Sequence, residues 1–211
     1  MYWMSKSLNA LFSESDLMNL FIDQQGISPK TPKLSIIVIC YNMDRELPRT
    51  ITSLIPPYQE DLLASDLEVI VVDNGSARLP LINDFPVNDN VRIIKNTSLS
   101  ISPVSAINLG ISAAKADLIG VMIDGARMAS PGLCKHVLKA SRLSPRTVVS
   151  TLGYHLGPEV QMKSVFQGYN QDIEDNLLQA IDWRNNGYRL FEISALAGSS
   201  ARGYFYPISE S

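Results

Sequence analysis

Hydrophobic residues in this chain are concentrated in three apolar runs, and each run ends on small polar or acidic residues. The runs are Leu34–Asn42, Leu67–Ser76 and Leu118–Ala126. Continuous Val and Ile runs of this length predict strands that are buried on both faces, as in a parallel sheet. Because ligands bind just outside the carboxyl ends of such strands, the pattern predicts a binding site where the three runs end.

Helical periodicity occupies the stretches between the runs. Leu47, Ile51, Leu54 and Ile55 fall on one helical face, and Pro56-Pro57 is predicted to end that helix. Two Ser-Pro pairs downstream supply a hydroxyl cap and a first-turn proline, which predict further helices. Alternating strands and helices indicate an α/β fold with a mostly parallel central sheet and helices on both faces. The two Ser-Pro pairs and the shorter predicted strands are Ser102-Pro103, Ser130-Pro131, Val91–Ile94, Thr147–Leu152 and Tyr188–Ile193.

The two ends of the chain differ from this alternation. We expect residues 1–30 to form a helical arm and residues 31–211 to form the main domain. The arm is expected to pack on the domain or on a second copy of the chain, giving a homodimer, because its acidic residues argue against docking on anionic lipid. Residues 201–211 mix Ser and Gly with aromatics, like a loop cut in mid-course. We therefore expect the chain to be the N-terminal portion of a longer protein.

Composition and charge narrow the classes of function. The 211 residues, 45% of them hydrophobic and 18% charged, suffice for one α/β domain with a full core. A net charge of −3 without a Lys/Arg-rich run argues against nucleic-acid binding, whose affinity comes mostly from neutralised phosphates. Without a signal peptide or a membrane span in the sequence, we expect a cytoplasmic location, peripheral to a membrane at most. Cys40 and Cys134 are expected to be reduced packing residues.

The candidate chemistry lies at the ends of the predicted strands. The turn after the first strand contains no glycine, so a dinucleotide pyrophosphate cannot approach the backbone there as it does in a Rossmann site. A P-loop and a GxSxG nucleophile turn are absent from the sequence as well. What remains is Tyr41-Asn42, Asp73–Ser76 and Asp124-Gly125. An aromatic ring and two carboxylates suit a nucleotide with its phosphates and a metal ion.

Taken in order, these motifs resemble the family 2 glycosyltransferases, which have the GT-A fold. The resemblance covers residues 32–132 and rests on SIIVICYNMDRELPRTITSL, EVIVVDNGS and SAINLGISAAKADLIGVMIDGARMASPG. It implies a Rossmann-like, three-layer α/β/α fold. It also implies transfer, with inversion, of a sugar from a nucleotide-diphosphate donor to an acceptor hydroxyl. The acceptor is left open between a glycan, a lipid-linked molecule and a protein.

Four residues form the candidate nucleoside pocket. Tyr41 can lay its ring against a planar base, or alternatively it caps the core. Asp73 matches the base-binding aspartate of the family, and its alternative role is to cap the turn that follows it. Asn42 is more typical of a turn-forming residue than of a ligand contact. Asn108, on the helix after Ser102-Pro103, matches a position where family members often carry polar residues near the nucleotide.

The third strand end departs from the family pattern. The DxD sequence of the family places carboxylates beside a divalent cation, Mg²⁺ or Mn²⁺, that bridges the diphosphate. Here the three positions are Asp124, Gly125 and Ala126, and Arg127 follows. Three interpretations compete: Asp124 holds the metal together with diphosphate and water oxygens, Arg127 supplies positive charge instead, or the site binds without catalysis.

An inverting transferase also needs a carboxylate base for the acceptor hydroxyl. The resemblance implies a base C-terminal to the DxD strand, and Glu210 is the candidate. Asp172, Glu174 and Asp175 are weaker candidates, because the dipole at a predicted helix start favours carboxylates without further function. Asp172 is predicted to cap this helix. The residues predicted to face inward on it are Ile173, Leu177 and Ile181.

Two other functions stay open at this stage. A non-catalytic nucleotide-sugar-binding module, or an inactive fragment, is favoured by Ala126 and by the loop-like end of the chain. A nucleotidyltransferase uses a similar α/β core but normally carries a glycine-rich, basic loop after its first strand. The sequence MDRE lacks that loop, so this function is less favoured.

Overall fold

The computed structural model describes residues 31–81, 85, 90–98, 101–123, 125–144, 147–198 and 200. The predicted arm, residues 1–30, lies outside this set. No helix in the described part of the chain is long and apolar enough to cross a membrane. The strands are β1 (Leu34–Cys40), β2 (Leu67–Asp73), β3 (Val91–Lys95), β4 (Ile119–Met122), β5 (Tyr154–Leu156) and β6 (Ser194–Leu196). The helices are α1 (Leu47–Leu54), α2 (Val104–Ala113), α3 (Leu133–Ala140), α4 (Gln161–Phe166) and α5 (Gln171–Ala180), with 3₁₀ turns at Ala64–Asp66, Ser141–Leu143 and Gly187–Ile193.

The central sheet is parallel, as the apolar runs predict. Its strand order is β3-β2-β1-β4, and each neighbouring pair runs in the same direction. The register places Cys40 beside Asp73 and Asp73 beside Lys95, so three strands end together at one edge. This is the architecture expected of the GT-A fold, and the predicted fold class is confirmed.

Strand β4 differs from the expectation that all three runs are buried on both faces. Every residue of β1 and β2 is buried, whereas Val121 and Ile123 remain 46% and 59% exposed. Within the described residues β4 pairs with β1 alone, so its outer side has no neighbouring strand there. Apolar content therefore predicted the strand correctly and its burial incorrectly.

Helices cover both faces of the sheet because successive side chains of a strand point to opposite sides. One core contains Ile36 and Val38 of β1 with residues of α1 and α3. The other core contains Ile37 and Ile39 with residues of α2. On this second face α2 comes very close to the sheet at Gly110. A Cβ added there would stand 2.4 Å from the Cγ2 of Ile37.

Two predicted strands in the last third of the domain are wrong. Residues 147–152 form no strand. The side chain of Val148 is 94% exposed, so it packs against no apolar surface. The neighbouring segment, β5, pairs antiparallel with β6 in a small second sheet. The predicted strand Tyr188–Ile193 is a 3₁₀ helix in which Gly187 and Leu190 are buried. A spacing of three between buried positions fits a helix with three residues per turn better than a strand.

Helix α5 exists as predicted, but its cap and its buried face differ. Asn170 is the cap, and its side-chain oxygen accepts the Ile173 amide at 3.1 Å. Leu178 and Ile181 are buried in a cluster with Trp183, while Ile173 is 41% exposed. In this orientation Leu178 and Ile181 bury their apolar side chains, and the acidic residues of α5 face two arginines of the α1 segment.

A buried carboxylate at the opposite edge of the sheet makes stability pH-dependent. Glu68 accepts the Ser35 hydroxyl at 2.5 Å, the Lys115 amide, and Arg92 Nη2 at 3.3 Å. Burial raises the pKa of this carboxyl, but the Ser35, Lys115 and Arg92 contacts outweigh it and the net pKa is lowered. A lowered pKa in the folded state stabilises the protein above the unfolded value, about 4.3, and this contribution is lost as the pH falls through the folded pKa.

We therefore expect the free energy of unfolding to decline below about pH 4.3 by more in the wild type than in Glu68→Gln. Urea unfolding of both proteins at pH 7, 5, 4 and 3 measures this difference. Glu192→Gln, which alters an exposed ion pair with Arg189, is the control and should follow the wild-type curve. Parallel wild-type and Glu68→Gln curves would contradict the assignment.

Candidate functional site

The carboxyl ends of β1 and β2 are joined by reciprocal hydrogen bonds. The Asn42 amide donates to the Ser76 hydroxyl at 2.8 Å, and the Ala77 amide donates to Asn42 Oδ1 at 2.8 Å. Asn42 adopts a φ of +52°, a left-handed conformation that Asn tolerates better than most residues. Asn42 therefore shapes this turn, as its sequence context predicted. Its contact with a nucleotide stays a prediction.

Tyr41 lies beside this junction with its side chain open to solvent. The residue is 57% exposed, directly after the last buried residue of β1. That exposure excludes the alternative in which the tyrosine caps the core. An exposed ring next to two rigid strand ends can receive a planar ligand on its face.

Asp73 performs the turn-capping role that the sequence allowed. Its carboxylate accepts the Gly75 amide at 3.3 Å and the Ser76 amide at 3.2 Å, and Gly75 has a φ of +96°. Asp73 is fully buried, so its carboxylate serves the turn in this conformation. The family role, a hydrogen bond to a base, stays a prediction.

Asn96 is a residue of this edge that sequence reasoning missed. It follows β3 and is 7% exposed, and its side-chain nitrogen donates to Asn74 Oδ1 at 2.7 Å and to the Ser105 hydroxyl at 2.9 Å. It thereby ties the turn after β2 to the first turn of α2. The signal available in the sequence was a polar residue two positions after the predicted strand Val91–Ile94.

Cys40 ends β1 next to Tyr41 and is not a nucleophile. It is a free, buried cysteine, and burial together with Asp73 and Asp44 raises the pKa of its thiol to about 12. A thiol with that pKa carries almost no thiolate at neutral pH. Cys134 is also free and buried, so both cysteines are packing residues as expected.

The chain after β4 is held by side chains instead of by a strand partner. The Thr50 hydroxyl donates to the Gly125 carbonyl at 2.6 Å, and the Ala129 amide donates to the Ser53 hydroxyl at 2.9 Å. Further along, Gln59 donates to the Ser130 carbonyl at 2.9 Å and accepts the Cys134 amide at 3.0 Å. We call Thr50, Ser53 and Gln59 the polar seam.

The polar seam is buried to an unusual degree for polar side chains. Thr50 and Ser53 are 0% exposed, and Gln59 is 1% exposed. Buried backbone groups need partners, and a segment outside any sheet must find them elsewhere. The seam supplies them, so it fixes the path of the chain from Gly125 onward. Thr50 lies on the same helical face as Leu47, Ile51 and Leu54. A hydroxyl residue within this apolar face is the feature of the sequence that could have indicated the seam.

The predicted phosphate-side residues are only partly described. Asp124 and Glu210 lie outside the described residues. Arg127 is exposed, and its Nη1 lies 3.9 Å from the position that a Cβ would take at Gly153. Asn108 is exposed on α2. The roles of all four residues stay predictions.

The weaker candidates for the catalytic base have partners of another kind. Glu174 contacts Arg45 Nη1 at 3.4 Å and also pairs with Arg49, while Asp175 accepts Arg45 Nη2 at 2.7 Å and Arg49 Nη1 at 3.1 Å. Arg49 is 8% exposed. We call these four residues the arginine clamp. The clamp joins the α1 segment to α5, so the contacts of Glu174 and Asp175 in this structure are structural ones.

The donor set for a divalent metal is incomplete in the protein itself. Within the residues that the structure describes, no group of three or more His, Cys, Asp or Glu side chains could hold a metal ion. Gly125 and Ala126, which follow Asp124, carry no ligand side chain. These residues fit only a cation that takes most of its oxygen ligands from a diphosphate and water, as Mg²⁺ commonly does.

Comparison with solved structures finds partial similarity to several proteins. TarS 1-349 from S. aureus in complex with UDP-GlcNAc is 20% identical over 53% of this chain and 31% of that one, with a TM-score of 0.44. A second structure of TarS 1-349 covers 61% and 41% at a TM-score of 0.45. The mannosyltransferase PcManGT from Pyrobaculum calidifontis, in complex with GDP-Man and Mn²⁺, is 16% identical over 72% and 45%, with a TM-score of 0.40. This chain thus spans less than half the length of each of these proteins.

The family is assigned by its sequence model. No curated protein matches the chain. The model for glycosyl transferase family 2 matches residues 35–195, which is more than half of the chain and extends from within β1 to within β6. The chain belongs to glycosyl transferase family 2.

Proposed function

We propose that this chain binds a nucleotide-diphosphate sugar at the carboxyl edge of β1, β2 and β3 and transfers the sugar to an acceptor hydroxyl. The observation that carries the proposal is the exposed ring of Tyr41 beside strand ends that hydrogen bonds hold in place. Family membership supports the donor class. The acceptor is proposed to be a glycan, a lipid-linked molecule or a protein, and the reaction to invert the anomeric centre with Glu210 as base.

The diphosphate is proposed to lie near the turn after β4. Asp124 would hold a divalent cation, Mg²⁺ or Mn²⁺, and Arg127 would add positive charge on the same side. The cation would neutralise charge on the departing nucleoside diphosphate. A single protein carboxylate is sufficient if diphosphate and water oxygens complete the coordination.

Calorimetry with UDP-, GDP- and dTDP-sugars, each with and without Mn²⁺, tests the donor proposal. We expect one nucleotide class to bind, with higher affinity when Mn²⁺ is present. No binding of any of the three would overturn the proposal for this chain. Binding without hydrolysis or transfer would instead favour the second candidate, a non-catalytic nucleotide-sugar-binding module, which Ala126 in the DxD position supports.

Truncation of the Tyr41 ring tests the base-stacking role. Stacking on an aromatic side chain contributes about 1–3 kcal/mol per base, so Tyr41→Ala should weaken nucleotide binding roughly tenfold. Because the side chain is exposed, the thermal midpoint should change little. Tyr41→Phe keeps the ring and is the matched control, with affinity near the wild type. Equal affinity of Tyr41→Ala and Tyr41→Phe would remove Tyr41 from the site.

A further inference from the structure

The first member of the polar seam lies closest to the strand ends. Thr50 donates to the Gly125 carbonyl at 2.6 Å, and the next member, Ser53, contacts Ala129 four residues further on. Both hydroxyls are fully buried on the same helix. The two bonds are therefore alike in burial, although Thr50 is a donor and Ser53 an acceptor, and they fix different parts of the chain.

Gly125 is closely packed against the end of β1. A Cβ at this position would stand 3.1 Å from the Cβ of Cys40, 3.2 Å from the sulfur of Met43 and 3.3 Å from the Ile39 carbonyl. The backbone thus touches β1 on one side and is bonded by Thr50. Loss of the hydroxyl would leave the carbonyl buried without that donor, and it would shift to find another.

We propose that Thr50 is a positioning residue for the phosphate side of the site, an inference that rests on the proposed function. Asp124 precedes Gly125 directly, and Arg127 follows it by two residues, so a displacement of the Gly125 carbonyl moves the backbone that carries both. An error of about 1 Å in such a group is enough to cost a large factor in rate. Thr50 itself contacts neither donor nor acceptor in this proposal.

Three variants separate positioning from packing. Thr50→Val removes the hydroxyl at nearly constant side-chain volume, whereas Thr50→Ser keeps the hydroxyl. Ser53→Ala removes the neighbouring buried hydroxyl. We expect Thr50→Val and Ser53→Ala to lower the thermal midpoint by similar amounts. Only Thr50→Val should weaken Mn²⁺-dependent binding of the nucleotide-sugar, by tenfold or more in Kd. Thr50→Ser should stay within about threefold of the wild type.

Two outcomes overturn the inference. Wild-type affinity in Thr50→Val is the first, and a loss of affinity in Ser53→Ala as severe as that in Thr50→Val is the second. The failure of the proposed function is a separate result, because the wild type would then bind no nucleotide-sugar. Backbone amide NMR signals of Ala126 and Arg127 decide the positioning role even in that case. They should move in Thr50→Val and remain in place in Ser53→Ala, and unmoved signals in Thr50→Val would overturn it.

Discussion

Asp124→Ala is expected to abolish turnover of the nucleotide-sugar while the fold is retained. In the proposed site Asp124 is the single protein carboxylate for the divalent cation, because Gly125 and Ala126 carry no ligand side chain. Without the cation the departing diphosphate keeps its full negative charge, and removal of such electrostatic stabilisation typically costs about 10²–10³ in rate. Initial rates of transfer and of donor hydrolysis, together with calorimetry in Mn²⁺, measure the effect.

Asp117→Ala is the matched control for this experiment. Asp117 is an exposed aspartate just before β4, at the opposite end of the same strand, and its removal should leave activity unchanged. Arg127→Ala distinguishes the remaining interpretations. If Arg127→Ala loses donor binding while Asp124→Ala keeps full activity, then the arginine supplies the charge and the metal assignment at this strand end is wrong.

Arg49→Leu is expected to cause the largest loss of stability among the changes considered. Removal of one partner of a buried ion pair costs about 3–5 kcal/mol, since the other charge is left without compensation. Arg49 is 8% exposed and is bonded to Glu174 and Asp175 in the arginine clamp. Arg45 still faces both carboxylates after the change, so we expect a loss near the lower end, about 3 kcal/mol. Urea unfolding at pH 7 provides the measurement.

An exposed ion pair supplies the comparison for Arg49. Arg189 and Glu192 lie 3.0 Å apart with side chains that are 47% and 56% exposed, so Arg189→Leu should cost at most about 1 kcal/mol. When Glu174→Leu is already present, Arg49→Leu should lower the free energy of unfolding by less, because the Glu174 carboxylate that Arg49 compensates is absent. A loss for Arg49→Leu as small as that for Arg189→Leu would show that the clamp contributes little.

The central sheet was predictable from sequence because its signals are local. Val and Ile runs such as Leu67–Asp73 are too apolar to lie anywhere but between two layers, and the Asn74-Gly75 sequence predicts its own turn. The small second sheet was not predictable in the same way. Strand β5 has three residues, and its only described partner, β6, lies about forty positions later, so no local pattern marks either one.

The residues of the candidate site likewise differ in whether local sequence predicts them. Tyr41, Asn42 and Asp73 follow apolar runs directly, so their placement at one edge could be inferred from the chain alone. Thr50 and Asn96 could not be found in this way, because their importance depends on contacts with Gly125 and Asn74, which are distant in sequence. Buried hydroxyl and amide groups show their role only when their partners are known.

Hydrogen exchange in this protein should not follow secondary structure alone. The amides of Ala129 and Cys134 donate to the side chains of Ser53 and Gln59, and these acceptors are almost completely buried. Exchange of the Ala129 amide requires local opening of α1 from the segment after β4, so this amide should be protected although it lies outside every helix and strand. Slow exchange at Ala129 would therefore report on the helix that it contacts, and its loss would reveal loosening of that helix before the sheet itself unfolds.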